Sequence, residues 1–549
     1  MTERDVMYQR FLDQLHALEE FRRVHAELNP AAAVDRDDPA VGRIIEALAF
    51  FTARTQTCAR DNLRASLDRV LGGYFDFLLS PMPSLATVEA AGAERLIEPL
   101  TLPEGCELHL GAPDGAVGRF RTLRETPLAP ARLDGAEVLL RQDGFRLLVT
   151  LRALAPVRAL DGPIALRIDH LDRLAASLRL HYNLRRHLQR VTAFFDRRPT
   201  TEDGGRPCEV ALGAAGDGLL AALNPLERVR LLLHYPELEL FAHVTLPEGH
   251  PPWTRLALAF DLDSRWPDSR AIAAAPLHLH ALPVINLVSA PAAVIAADGL
   301  RSAYPIVPNE LHGDTELRSV AGVFDLSPSG LQPLPSGMLP GADEGWQLER
   351  AVEPGGVRQR LRVRLRDAFA KPRRVVVQAE WHQPWFAARA VGPLDAWLPN
   401  RHAGGLKWRV LGGVRAACET PLDQMSSGLL ELLALRMRPI LRRDELLLLL
   451  QLLGAGEGGP FAGVLRRIAA VDVEAARDGG AADGARHRYR VRLEAVPPAE
   501  EALAWTLVAR IRELCDAWSE GSVVAADVEV ESAEPVSAPA RARVAGART

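Results

Sequence analysis

The chain has 549 residues, 48% hydrophobic and 25% charged, enough to bury real cores in roughly three or four domains. Its formal net charge of −5 gives no bulk attraction to nucleic acid or to an anionic membrane. Five cysteines (Cys58, Cys106, Cys208, Cys418, Cys515) are far apart, odd in number and without a Cys-x-x-Cys pair. They argue against a disulfide framework or a cysteine zinc site and for reduced thiols in a cytosolic protein.

The charged start MTERDVMYQRFLDQ holds no signal-peptide core. Residues 4–29 read as one helix: Phe11, Leu15, Leu18 and Val24–Leu28 recur at helical spacing, and Pro30 stops it. Asp38 and Pro39 read as N-cap and first residue of a second helix, ending near residue 60. Its seam is Val41, Ile44, Ile45, Leu48, Phe51 and Thr55. A third helical stretch follows through Leu63, Leu67, Val70 and Leu71, weakened at Gly72–Gly73. Pro81 and Pro83 in SPMPS, residues 80–84, end the helical region. Such helices either pack within their own domain or join a bundle with a partner; their narrow seam and length favour sharing.

After residue 84 the pattern turns to short β-like runs separated by Gly, Pro and Asp. LATVEAA, CELHLGA, GRFRTLRET, AEVLLRQ, FRLLVTLRAL, IALRID, CEVALGA, LELFAHVTL and RLALAFDLD are expected strands. AERLIEP and NPLERVRLLLHY are expected short helices, and Leu184–Asp196 a longer one. From residue 276, LHLHALPVINLVSA, LRSVAGVFDL, QRLRVRLRDA and RRVVVQAEWHQPWF continue as strands, with 326–345 as a mobile or partner-ordered loop. Residues 401–470 turn helical after the further strand GGLKWRVLGGV, and 471–530 read strand, helix, strand. The expectation is an α+β multidomain chain. It has a helical bundle segment at 1–84, β-rich sandwich-like domains at 85–275 and 276–400, an α+β region at 401–532 and a disordered tail at 533–549.

Most catalytic signatures are missing: no P-loop, HExxH, GxSxG elbow, EF-hand loop or GxGxxG after a strand. No cofactor is expected. His278 and His280 stand two apart in a strand-like run, so one strand face could offer both imidazoles to one ion. No other histidine shows reinforcing spacing, and a surface or interface pair is the ordinary reading. Asp261 and Asp263 read as solvated acids at a strand end, with a metal pair as the rival. Trp253, Trp346, Trp381, Trp385, Trp397 and Trp408 are dispersed and read as core anchors or interface residues. The most apolar stretch, residues 429–454, is interrupted by Arg436, Arg438, Arg442, Arg443, Asp444 and Glu445, which leaves no membrane span of about 20 residues.

Five segments in order resemble one family: DDPAVGRIIEALAFFTARTQ (37–56), GGYFDFLLSPMPSLATVE (72–89), GRFRTLRETPLAPARL (118–133), HLHALPVINLV with YPIVPNE (278–310), and GGLKWRVLGGV (404–414). The chain is similar to the TssF (VasA/ImpG) baseplate subunits of type VI secretion systems, which are related to wedge proteins of contractile phage tails. The resemblance implies a structural, non-catalytic role in a baseplate wedge. The implied partners are a TssG-like subunit, a second copy, TssE-like and TssK-like subunits and the spike hub, with no nucleic acid and no membrane insertion. The implied place is the cytoplasm, in a baseplate docked to the inner-membrane complex. The N-terminal helices would join the bundle with the TssG-like partner, and Phe11, Leu15, Leu18, Ile44, Ile45 and Leu48 would be its anchors. The β-rich parts would act as wings. Pro81, Pro83, Phe120, Pro283, Asn286 and Trp408 take structural roles, with Asn286 satisfying backbone groups where the chain leaves a sheet. Two rival readings remain open: a metal-dependent hydrolase using His278 and His280, and a glycan-binding β-sandwich using exposed tryptophans.

Overall fold

The computed structural model describes the chain apart from residues 1–2, 31–37, 73, 171–172, 201–203, 215–217, 267–276, 302, 310–314, 329, 338–342, 354–355, 367, 400–405, 421–425, 437, 439, 457, 477–485, 495, 520–522 and 531–549. The expected tail and part of the 326–345 loop lie outside the described residues. Contacts divide the chain into two compact units. One holds Met1–Pro81, Ser289–His382 and Glu419–Glu431; the other holds Met82–Val288, Gln383–Cys418 and Leu432–Thr549.

The first unit opens with α1 (Glu3–Leu28) and α2 (Pro39–Gly72). Asp38 caps α2: its Oδ1 accepts from the Ala40 amide at 2.8 Å, ahead of proline at the first helical position. The expected second and third helical stretches are one helix. The run NLRASLDRVL consists mostly of helix formers, and Gly72 falls only at its end. At 34 residues, α2 is about 51 Å long. It pairs with α1, and Arg10 reaches across to donate to Thr57 Oγ1 at 2.8 Å. Residue 10 opposite residue 57, with the connection at 29–38, makes the pair antiparallel.

The same unit holds a five-stranded sheet of β15 (Val288–Pro291), β16 (Ile295–Ala297), β18 (Glu316–Ser327), β19 (Gly330–Pro333) and β22 (Arg373–His382). A three-stranded sheet places β21 (Gly356–Arg364) between β17 (Tyr304–Pro305) and β20 (Gly345–Glu353). Both lay their apolar sides on one core that includes Val375, Val377, Trp381 and Leu361. Part of the expected 326–345 loop is ordered as β19, which folds back on β18 with Ser327 opposite Gly330.

In the second unit, β1 (Leu85–Ala91), β14 (Ala281–Ile285), β4 (Val117–Thr122), β3 (Glu107–Gly111), β23 (Asp395–Trp397) and β24 (Lys407–Arg415) close into a barrel. The turn from β3 to β4 is built by Pro-Asp-Gly: Asp114 Oδ1 accepts from the Ala116 amide, and Gly115 takes a positive φ of 86°. Phe120 fills the barrel and meets Phe386 edge-on at 5.6 Å. Trp408 is partly buried against this core, and Pro83 is buried one residue before the barrel region begins at Ser84.

An eight-stranded sheet runs β13 (Leu277–Leu279), β8 (Ile164–Ile168), β11 (Phe241–Thr245), β10 (Arg206–Leu212), β9 (Leu188–Phe195), β12 (Trp253–Asp263), β7 (Gly144–Val157), β6 (Ala131–Arg141). The expected helix over Leu184–Asp196 is corrected here. A helix over Leu174–His187 ends where β9 begins. The run VTAFF is β-branched and aromatic, and it is paired by β10 on one side and β12 on the other. The expected helix in AERLIEP is only the 3-10 turn Ala93–Arg95, whereas Asn224 caps a full helix at Pro225–His234. The small ladder β2 (Leu100–Leu102) with β5 (Thr126–Leu128) completes this part. The C-terminal region is a sheet of β25 (Ile468–Ala476), β26 (Arg486–Leu493) and β27 (Val523–Val530), with the helix Glu501–Trp518 between the last two in sequence.

Phe120→Ala should cost about 3–5 kcal/mol, since it empties the space beside Phe386. Chemical denaturation followed by tryptophan fluorescence measures this.

Candidate functional site: the helical pair and the strand exits

The structure places the six expected partner-facing residues in two groups. Phe11, Leu15, Leu18 and Ile45 are partly buried; Ile44 and Leu48 remain 59% and 51% exposed. Ala49 and Ala53 are the fully buried positions of α2's first half. The pair thus leaves a large part of its apolar surface uncovered within the chain.

Two stripes carry that surface. On α2, Ile44, Leu48 and Phe51 follow the i, i+4, i+7 spacing of one helix face, and Phe51 is 63% exposed. On α1, Phe21, Val24 and Leu28 follow i, i+3, i+7, and Phe21 is 67% exposed. Leu63 and Val70 extend the exposed apolar set along α2. Sequence reasoning did not single out Phe21, Leu28 and Leu63 as exposed apolar residues of the pair. The signal was there: both helices carry more apolar positions than one contact with each other can cover. Isolated exposed leucines are ordinary, whereas a contiguous exposed apolar stripe is not.

His278 and His280 do not share a face. His278 ends up in β13 with its Nδ1 3.1 Å from Glu89 Oε1. His280 has φ 61°, a left-handed residue that breaks the run and sends the chain from the eight-stranded sheet into the barrel. Its imidazole is buried, 3.2 Å from the Ala131 carbonyl oxygen, and burial holds its pKa down at about 4. The expected surface pair is therefore a half-buried histidine held against Glu89 and a neutral core histidine. Among the described residues, no group of three or more His, Cys, Asp or Glu could hold a metal ion.

Asp261 is not a solvated acid either. It is fully buried, with Arg146 Nε at 2.7 Å, Arg190 Nε at 2.7 Å and Arg141 Nη1 at 2.9 Å. Burial pushes its carboxyl up, but the hydrogen bonds of Arg146 and Arg190 and the charges of Arg146 and Arg141 outweigh it and hold the pKa low. Asp263 turns to His187 at 2.9 Å. Trp253 and Trp381 are core residues, while Trp385 is exposed.

Asn286 lies one residue past β14 and is buried. Its Nδ2 donates to the Arg119 carbonyl at 2.8 Å and to Gln383 Oε1 at 3.1 Å, and its Oδ1 accepts from the Gln383 amide at 2.5 Å. Pro283 sits within β14 opposite Thr87, where its carbonyl accepts from the Leu123 amide at 3.2 Å. Pro81 is partly buried at the entry to the barrel region.

A family model described as "Type VI secretion system, TssF" matches residues 5–194 and 230–339, more than half of the chain. The chain belongs to the TssF family. Two solved structures share its fold. A chain of the type VI secretion system TssK-TssF-TssG baseplate subcomplex matches with a TM-score of 0.69 at 19% identity, covering 89% of this chain and 96% of that one. A chain of the baseplate complex from the type VI secretion system matches with a TM-score of 0.57 at 17% identity, covering 95% and 96%. No curated protein sequence matches the chain. The family match covers both helices of the pair and the Asn286 exit of this TssF-family chain.

Two outcomes are expected from these polar sites. Asn286→Leu should cost about 1–3 kcal/mol for each buried partner it leaves unpaired, read as a fall in denaturation midpoint. The second concerns pH. The folded His280 has its pKa depressed to about 4, below the ordinary value of 6.5, so between those values the unfolded chain binds a proton that the folded chain refuses. Stability is therefore full above pH 6.5 and falls as pH drops towards 4. His181, His234 and His382, also pushed down to about 4 by burial, act in the same direction. His280→Asn, a residue that tolerates the left-handed backbone, should flatten the slope of melting temperature against pH between 6.5 and 4.

Proposed function

We propose that this TssF-family chain is a structural subunit of a type VI secretion baseplate wedge, joined to a TssG-like partner through the apolar stripes of α1 and α2. The exposure of Phe21, Leu28, Ile44, Leu48 and Phe51 on a helical pair carries the reading. Covering each such side chain contributes about 1.5–3 kcal/mol, so a handful suffices for an obligate interface. Phe11, Leu15, Leu18 and Ile45, partly buried already, would fix the spacing of the two helices beneath that interface.

The similar solved chain comes from a TssK-TssF-TssG subcomplex, and we carry TssG-like and TssK-like partners over from it. A second copy, a TssE-like subunit and the spike hub follow from the family resemblance alone. The role proposed is assembly and not catalysis: the polar residues that could suggest chemistry, Asp261 and His280, are engaged in buried structural pairs. The proposed place is the cytoplasmic face of the inner-membrane complex. No described helix is long and apolar enough to cross a membrane.

Co-expression with the neighbouring TssG-like product, followed by affinity capture and sizing, tests the interface. Leu48→Asp and Phe51→Asp should each abolish the co-purified complex. Leu140→Asp, at a still more exposed leucine on β6, should leave it intact. A complex that survives both helix substitutions would remove the helical pair from the interface.

A further inference from the structure

The last strand of the five-stranded sheet has one side uncovered. β19 consists of Gly330, Leu331, Gln332 and Pro333, all exposed, and among the described residues its only strand partner is β18. The register fixes where its backbone groups point. Ser327 lies opposite Gly330 and Asp325 opposite Gln332; one step further, the Leu334 amide donates to the Val323 carbonyl at 2.9 Å. Antiparallel pairs alternate between bonded and non-bonded, so 323/334, 325/332 and 327/330 are the bonded pairs, while 324/333 and 326/331 are not. The N–H and C=O of Leu331 and the C=O of Pro333 therefore point away from β18, towards the open side. Pro333 itself has no N–H to offer.

The sheet face beside that edge is apolar. Val323 is buried in the core and Asp325 shares its side, so Phe324 and Leu326 face the other way. Opposite them on β19 stand Pro333 and Leu331. These four side chains form a square in which Leu326 is 37% and Leu331 52% exposed. Longer edge strands of the chain are defended differently. β6 carries Arg132, Asp134, Glu137 and Arg141 and a register shift between Leu133 and Gly135; β25 carries Asp472 and Glu474. Charges and bulges of this kind discourage an edge from pairing with another chain. β19 has no charge, and its proline removes a single donor.

We propose that the free edge of β19 binds an extended, uncharged segment of a partner protein as an added strand. Antiparallel addition gives three bonds: Leu331 exchanges two with one residue of the segment, and the Pro333 carbonyl accepts a third. Apolar or β-branched side chains at alternate positions of the segment widen the square of Phe324, Leu326, Leu331 and Pro333. The size of the edge selects the occupant. Four residues span about 13 Å, whereas a specific interface between folded proteins buries about 1,200–2,000 Å². So short an edge does not hold a second folded copy of the chain; it suits a tail or loop of a partner. The site is separate from the stripes of α1 and α2 and does not rest on their role.

Fluorescence anisotropy with the full chain and a labelled seven-residue peptide of alternating Thr and Val tests the site. Leu331→Pro deletes the outward N–H without removing a bond to β18, and should weaken binding about tenfold or more. Leu331→Val, which keeps the donor, should bind as wild type, and so should Leu48→Asp, which separates this edge from the helical interface. The same peptide methylated at every backbone nitrogen should not bind. Undiminished binding by Leu331→Pro, binding of the methylated peptide, or no binding by the wild-type chain at millimolar peptide would overturn the proposal. So would a wild-type dimer, seen by sizing, that Leu331→Pro dissolves, because the edge would then pair with a second copy. Should Leu331→Pro unfold the β18–β19 hairpin, a benzophenone-bearing peptide on wild-type protein decides the matter: capture within 324–333 supports the site, and capture elsewhere overturns it.

Discussion

The second unit depends on how the chain is tied where it enters and leaves that unit. The chain does so five times, at 81/82, 288/289, 382/383, 418/419 and 431/432. Four of those passages are fastened in pairs inside the second unit. Met82 and Cys418 exchange backbone hydrogen bonds at 2.8 and 2.9 Å, which ties the first to the fourth. Asn286 grips both the side chain and the backbone of Gln383, which ties the second to the third. The barrel adjoining these ties closes by pairing β1 with β24, strands more than 300 residues apart in sequence. Loop closure of that length must be overcome before the contacts reward it, so closing the barrel relies on contacts distant in sequence. An asparagine suits this place. It offers a donor and an acceptor at once, and burial makes each unmade bond expensive.

Much of this was legible in the sequence because it is periodic. LATVEAA is β1 residue for residue, and the strand, helix, strand reading of 471–530 matches β26, Glu501–Trp518 and β27 but misses β25 (Ile468–Ala476). The failures have physical causes. His280 carries no local mark of a left-handed residue; Gly or Asn would have announced one. Its conformation is imposed by β13 and β14 belonging to different sheets. The run LRRHLQR, residues 184–190, has leucines and arginines at spacings that suit a helix, and strand pairing on both sides of 188–195 overrides its continuation. Asp261 reads as a surface acid until three arginines from β6, β7 and β9 are seen to converge on it. Those residues are between 71 and 120 positions away, so no local window contains them.

The helical pair was legible in a different way. Periodicity identified both helices and their apolar seams. It could not say which stripe faces the sister helix and which faces outward, because both stripes obey the same spacing. The structure separates them: Ala49 and Ala53 are buried, while Ile44, Leu48 and Phe51 are exposed. A two-helix hairpin with this much uncovered apolar surface is a poor solution for a chain that works alone. It becomes a sound one when another chain supplies the missing half of the core.

The buried charges fit the same logic. Arg510 joins Glu239 at 3.0 Å and Glu513 at 2.7 Å, fastening the helix Glu501–Trp518 to the short turn Pro236–Glu239. Asp261 gathers three arginines across β6, β7, β9 and β12. Replacing such groups with well-packed hydrocarbon often costs little or even stabilises, so their merit is not raw stability. What they add is intolerance of misalignment: a register slip of one residue would strand a buried charge without its partner. For the wedge subunit proposed above, a sheet held in one register would matter more than a sheet that is merely hard to unfold.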